Sequence, residues 1–124
     1  MTRPRVERGM EVNPEIAFRN VTRTPAMERA IHEGIAELEK VADRIVACRV
    51  MVERDHPRRH SGNPYLVRVD VTIPGTKIVV SRPPSSGGED HAVTAISEAF
   101  HTARSRVLDF VRRRRDRYHR GPGE

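Results

Sequence analysis

The fold follows from residues 65–82, which read YLVRVDVTIPGTKIVVSR. From Tyr65 to Ile73, apolar residues at the odd positions alternate with mostly polar residues at the even positions. This period of two is typical of a strand that buries one face. Pro74-Gly75 predicts a tight turn, and Lys77–Arg82 predicts a returning strand. These residues therefore predict an antiparallel hairpin.

The residues before the hairpin predict two further strands with a helix between them. Alternating apolar residues indicate a short strand at Ile16–Phe18 and a half-buried strand at Val46–Glu53. Thr24-Pro25 predicts a helix start, with Thr as the N-cap and Pro at the first helical position. Apolar residues at helical spacing carry this first helix to about Asp43.

The residues after the hairpin predict a long amphipathic helix. Pro83–Gly88 (PPSSGG) indicates a flexible connection. A helix is predicted from about Asp90 to about Arg117, with an apolar stripe from Val93 to Val111. Arg114 falls on that stripe, where a core-facing guanidinium would be costly. We therefore expect the core to end near Val111 and Arg112–Arg115 to project into solvent.

The element order is β-α-β-β-β-α, which predicts an α+β fold. Because each strand has one polar face, we expect a four-stranded sheet with both helices on its other face, a two-layer sandwich. The first two strands flank a helix and should be parallel, and the others should be antiparallel. We expect residues 1–14 to be a flexible leader, residues 15–117 one domain and residues 118–124 a flexible tail.

Positive charge is concentrated at the end of the chain. The 124 residues carry a net charge of +6, yet residues 104–124 alone hold eight Arg against Asp109, Asp116 and Glu124. Arg binds phosphate in a planar, bidentate way that Lys cannot reproduce. This distribution predicts an anionic partner, with nucleic acid favoured.

Composition excludes several other classes of protein. A single cysteine, Cys48, rules out an intramolecular disulfide, and its alignment with the core valines predicts a small buried side chain. No signal peptide, lipidation motif or apolar run of membrane length occurs, so we expect a cytoplasmic protein without a membrane partner. No catalytic constellation or phosphate-binding glycine loop is present, which predicts a protein that is not an enzyme and has no cofactor or small-molecule substrate.

The candidate RNA-binding residues are all arginines. Each guanidinium that neutralises a phosphate releases counterions, so that affinity accumulates and falls steeply with salt. The alternative is a solvated basic segment kept for solubility. The predicted RNA-binding residues are Arg58, Arg59, Arg104, Arg106, Arg112, Arg113, Arg114 and Arg115.

Two other groups of residues admit more than one interpretation. His56 and His60 have the spacing of a metal pair, but that spacing aligns two ligands only on a helix, and Pro57 indicates a loop. We predict no metal site there, and a loop that contacts RNA backbone is the favoured interpretation. Three arginines on the predicted outer face of the sheet could form a second basic patch or could simply keep the open sheet soluble: Arg19, Arg49 and Arg68.

Three blocks of sequence carry a family resemblance. They are FRNVTRTPAMERAI at 18–31, HPRRHSGNPYLVRVDVTIPG at 56–75 and DHAVTAISEAFHTARSRVLDF at 90–110. In this order and spacing, residues 15–112 resemble the ribosome hibernation-promoting factors, also called the ribosome-associated inhibitor family. The likeness is to the short, single-domain form, without the dimerising C-terminal domain of the family's long forms.

The resemblance implies a function. Family members bind the small ribosomal subunit between its head and body, overlap the tRNA and mRNA paths, and silence or preserve ribosomes during stress or starvation. We therefore expect a ribosome-associated factor that contacts rRNA backbone and is monomeric off the ribosome. The first helix is rather acidic, so we expect the contact on the second helix and the loops. The alternative is a general RNA-binding or RNA-chaperone module; a small metal-dependent enzyme built on His56 and His60 is a third class.

Overall fold

The computed structural model describes residues 9–10, 13–54, 65–85 and 89–120. These residues contain two helices and six strands. The elements in chain order are β1 (Gly9–Met10), β2 (Glu15–Arg19), α1 (Pro25–Val41), β3 (Arg44–Ile45), β4 (Ala47–Arg54), β5 (Tyr65–Ile73), β6 (Thr76–Ser85) and α2 (Glu89–Arg120).

The main sheet has the predicted topology. Its strand order is β2-β4-β5-β6, with β2 and β4 parallel and the other two pairings antiparallel. Val50, Val69 and Val80 stand opposite one another across three strands, so their side chains share one face. The predicted α+β fold, including the parallel pairing across the first helix, is confirmed.

Both helices contribute to a single core on that apolar face. α2 packs against α1, β5 and β6, and the buried apolar side chains of all these elements belong to one cluster. The largest fully buried side chains are Tyr65, Met27, Ile31, Leu38, Ile45 and Ile96. No helix in the described part of the chain is long and apolar enough to cross a membrane.

The first helix begins where the sequence predicts. Thr24 has an extended backbone, and its hydroxyl accepts a hydrogen bond from the Met27 amide at 3.1 Å, with Pro25 following at the first helical position. This satisfies one of the amides that a helix start leaves without a partner. α1 ends at Val41, two residues before the predicted end.

The prediction of a flexible connection at Pro83–Gly88 is wrong for its first half. β6 continues to Ser85, and the register slips by one residue between the pairs Val67–Arg82 and Tyr65–Ser85. The extra residue lies at Pro83–Pro84, on a strand at the edge of the sheet. An edge strand tolerates proline at a bulge because no neighbouring strand needs its missing amide.

The two ends of the predicted domain also differ from expectation. Gly9–Met10 falls within the predicted leader and pairs in parallel with Arg44–Ile45. α2 continues to Arg120, three residues beyond the predicted end of the domain. Residues 1–8, 11–12 and 121–124 lie outside the described residues, so the flexibility of the leader and of the tail stays a prediction.

Cys48 faces the core, as predicted. The side chain is 2% exposed, and burial, followed by the charges of Asp70 and Glu39, raises the pKa of its thiol from 9.0 to about 11. Only the thiolate reacts quickly with alkylating reagents. At pH 8 we therefore expect iodoacetamide to modify the native protein far more slowly than the urea-unfolded protein. Equal labelling rates would contradict the buried position.

The same shift of the Cys48 pKa makes stability depend on pH. The unfolded thiol ionises near 9, whereas the folded thiol keeps its proton until about 11. The folded state therefore binds more protons between these values, and the free energy of unfolding must fall as the pH rises through them. A Cys48→Ala variant, which lacks this titration, should lose less stability between pH 8 and pH 10.5 than the parent.

Candidate nucleic-acid interface

The first two predicted interface arginines on α2 are turned back onto the fold. Arg104 pairs with Glu37 of α1, with 3.5 Å between Nε and the carboxylate, which is too long for a good hydrogen bond. That Nε is buried and has no hydrogen-bond partner. Arg106 donates from Nη1 to the Val79 carbonyl of the edge strand β6 at 3.0 Å. Both side chains therefore hold α2 in place on its neighbours.

The four consecutive arginines beyond them are all exposed, as predicted, but they are not equivalent. Arg113 forms an ion pair with Asp109, one helical turn earlier. Arg114 donates from Nη1 to the Pro74 carbonyl at 2.6 Å, and its guanidinium lies over the Phe110 ring, 5.8 Å from the centroid. Arg114 thus binds the turn of the β5–β6 hairpin instead of projecting away. Arg112 has no side-chain partner among the described residues.

Unequal helix lengths create an open cleft beside these arginines. At about 1.5 Å per residue, the 17 residues of α1 span roughly 25 Å and the 32 residues of α2 roughly 48 Å. Where α1 ends, α2 therefore continues without a neighbouring helix. The space is an open volume of about 580 Å³, which we call the terminal cleft; it is lined by Lys40, Val41, Ala42, Asp43, Arg44, Ile73, Pro74, Leu108, Phe110, Val111, Arg112, Arg114 and Arg115.

The terminal cleft is basic around an apolar interior. Five of its side chains are cationic and only Asp43 is anionic, so its net charge is about +4 by formal count. Two of the cations, Lys40 and Arg44, belong to the end of α1 and to β3, and the sequence analysis did not identify them. They gave no signal of their own because they are brought beside Arg112 and Arg115 only by the packing of α1 against α2.

The outer face of the sheet carries paired charges instead of a basic patch. Arg49 donates to Glu15 at 3.0 Å, and Arg68 donates to Asp70 at 3.1 Å. Of the three arginines considered for a second patch, only Arg19 has no side-chain partner within the described ranges. Compensated charges repel phosphate about as much as they attract it, so this face fits the interpretation that its arginines serve solubility.

The remaining candidates fall outside the described part of the chain. Arg58, Arg59, His56 and His60 all lie in residues 55–64, so their predicted contact with RNA stays a prediction. Among the residues that the structure does describe, no three His, Cys, Asp or Glu side chains are grouped so that they could hold a metal ion.

Comparisons with known proteins agree with this architecture. The sequence model of the family described as "Sigma 54 modulation protein / S30EA ribosomal protein" matches residues 15–115. No curated protein sequence gives a significant match. Among solved structures, the Thermus thermophilus Protein Y N-terminal domain is similar, with a TM-score of 0.58 and 18% identity over 77% of this chain and 94% of that one. A ribosomal subunit interface protein from Coxiella burnetii has a TM-score of 0.57 and 14% identity over 78% of this chain and 94% of that one.

Proposed function

Because the chain belongs to the family of the Sigma 54 modulation protein and the S30EA ribosomal protein, we propose that it binds the small ribosomal subunit. In this proposal it contacts the backbone of rRNA and acts as a hibernation or translation-inhibiting factor under stress. The match confirms the family resemblance predicted from the sequence. It supports association with the ribosome, and the fold that the chain shares with a ribosomal subunit interface protein agrees with it.

The observation that supports an rRNA contact most directly is the one-sided distribution of charge. The terminal cleft and the exposed end of α2 bring cations from three separate segments together. Lys40 pairs with Glu37 at 3.2 Å, but the lining still holds five cations against one anion, whereas Arg49 and Arg68 on the outer sheet face each pair with a carboxylate. A concentrated basic surface binds RNA through its phosphates and releases their counterions. Folded rRNA offers A-form helices whose backbone is recognised by shape, with little reading of bases.

The rest of the proposal follows from this mode of action. Steric occupation of a ribosomal site needs no catalysis, cofactor or small-molecule substrate. A protein that acts on ribosomes would work in the cytoplasm, and it would be monomeric when it is not bound to them. The contact would use Arg112 and the other cations of the terminal cleft, with Arg58 and Arg59 of the loop as additional predicted contacts.

Co-sedimentation tests the proposal. We expect the purified protein to pellet with small ribosomal subunits at moderate salt, and we expect an excess of bulk RNA to displace it only weakly. An RNA duplex of matched phosphate content serves as the control ligand. Comparable affinity for the duplex and for the subunit, or equal competition by bulk RNA, would contradict the proposal and favour a general RNA-binding module.

A further inference from the structure

The terminal cleft contains more than a phosphate-binding surface requires. Phosphates of an A-form helix can be bound by cations on an open, polar face, and nothing in that contact uses apolar surface. In the terminal cleft, however, the basic side chains share the lining with the apolar residues Val41, Ile73, Leu108, Phe110 and Val111.

From this combination we propose that the terminal cleft receives one unpaired nucleotide of the bound RNA. The base would lie on the apolar interior, and its phosphate would face the guanidinium groups of α2. The inference rests on the proposed function, because the nucleotide belongs to the RNA that the protein binds. It goes further by requiring a single-stranded position in that RNA.

The charges that line the terminal cleft suit the phosphate of a nucleotide. Arg112, Arg114 and Arg115 stand on the α2 side, and the carbonyl end of α1 stands on the opposite side. The last carbonyls of a helix have no partner within it, and of those in α1 the Leu38 carbonyl accepts from the Ala42 amide at 3.2 Å. A nucleotide whose phosphate faces α2 would meet guanidinium donors there, and Lys40 and Arg44 add positive charge where α1 ends.

The aromatic part of the interior is held in position by the hairpin turn. Gly75 has a φ of 98°, and a Cβ built there would lie 3.4 Å from the tip of Phe110 and 3.0 Å from Nη1 of Arg114. The bare glycine therefore allows both side chains to approach the turn closely. Arg114 also donates to Pro74 and lies over the Phe110 ring, so the ring supports the guanidinium in a fixed position. In this proposal the base would stack on that supported guanidinium.

An abasic RNA backbone separates the base from the phosphates. We would measure binding of a short labelled oligocytidylate and of an abasic backbone with the same number of phosphates, by fluorescence anisotropy at one salt concentration. Cytidylate is chosen because its base carries an amino group. We expect the oligocytidylate to bind about tenfold more tightly or better, as base stacking on protein aromatics usually contributes. Equal affinities would overturn the inference.

Variants at Phe110 locate the effect in the terminal cleft without changing charge. Phe110→Leu keeps an apolar side chain against the core but removes the flat ring, so the preference for oligocytidylate should shrink several-fold. Phe110→Tyr keeps the ring and should preserve that preference. If both variants keep the parent's full preference for oligocytidylate over the abasic backbone, the base binds elsewhere, and the assignment of the terminal cleft as its site is overturned. If Phe110→Leu does not fold, the affinities of the parent protein for oligocytidylate and for the abasic backbone still test whether a base is bound.

The outcome can be separated from that of the proposed function. If the parent protein does not co-sediment with small subunits, the proposed function is contradicted, whatever the oligocytidylate result. Co-sedimentation with subunits, combined with equal affinity for oligocytidylate and the abasic backbone, would leave ribosome binding in place and overturn only the nucleotide site.

Discussion

Replacing Gly34 by Ala is expected to lower the free energy of unfolding by about 2 kcal/mol. Ala is the better helix former by ~1 kcal/mol, so an exposed site would respond in the opposite direction. At Gly34, however, a Cβ would lie 2.2 Å from Cγ of Phe100, a side chain that is only 3% exposed. Because Cγ is close to the backbone and cannot swing away, we assign the clash ~3 kcal/mol, the upper part of the usual cost of overpacking.

Urea unfolding of two further variants tests this explanation. Ala36→Gly changes an exposed position of the same helix and should cost ~1 kcal/mol through helix propensity alone. In a Phe100→Ala background, which removes Cγ together with the ring, Gly34→Ala should cost much less than in the parent, giving a coupling free energy of ~1 kcal/mol or more. A stabilising Gly34→Ala in the parent would mean that α1 and α2 do not approach so closely at this point.

The strands and the start of α1 could be predicted because their signals are local. A period of two over Tyr65–Ile73 and the Thr24-Pro25 pair each specify their own structure within a few residues. The prediction at Pro83–Pro84 was wrong because proline is compatible with both a loop and an edge strand. Only the position of β6 at the edge of the sheet distinguishes the two, and that position is not evident from the local sequence. The pairing of Gly9–Met10 with Arg44–Ile45 is two residues long, too short for any periodicity to show.

The candidate site was predictable only in part because its contacts are not local. Helical spacing identified Arg114 as lying on the apolar stripe, and the expected cost of that position led to the prediction that it projects into solvent. The structure shows another solution, in which Arg114 binds the carbonyl of Pro74, 40 residues away in the chain. Lys40 and Arg44 join the terminal cleft for the same kind of reason, since α1 happens to end beside α2.

Replacing Arg112–Arg115 by Gln together is expected to flatten the salt dependence of small-subunit binding by about 2 to 3 units. If about four to six phosphates are contacted, the slope of log affinity against log salt concentration should be about −3 to −5 in the parent, at ~0.7 to 0.9 per phosphate. Four positive charges are lost in the variant, and one of the four need not reach a phosphate. Arg113, which pairs with Asp109, is the residue we expect to contribute least.

A control variant removes two positive charges from elsewhere on the surface and is compared with Arg112→Gln combined with Arg115→Gln as well as with the quadruple variant. Arg19 and Arg29 are exposed and have no side-chain partner among the described residues, so Arg19→Gln with Arg29→Gln should leave the slope nearly unchanged.

The fold should survive the quadruple substitution because all four positions lie beyond Val111, where the partly buried apolar positions of α2 end. A stability loss of ~1 kcal/mol is expected from the Arg114 hydrogen bond to Pro74, and Arg114→Gln alone should reproduce it. A variant that loses its fold would mean that these arginines are structural, and a folded variant with the parent's slope would mean that they do not contact phosphate. RNA binding would then have to be sought at Arg58 and Arg59.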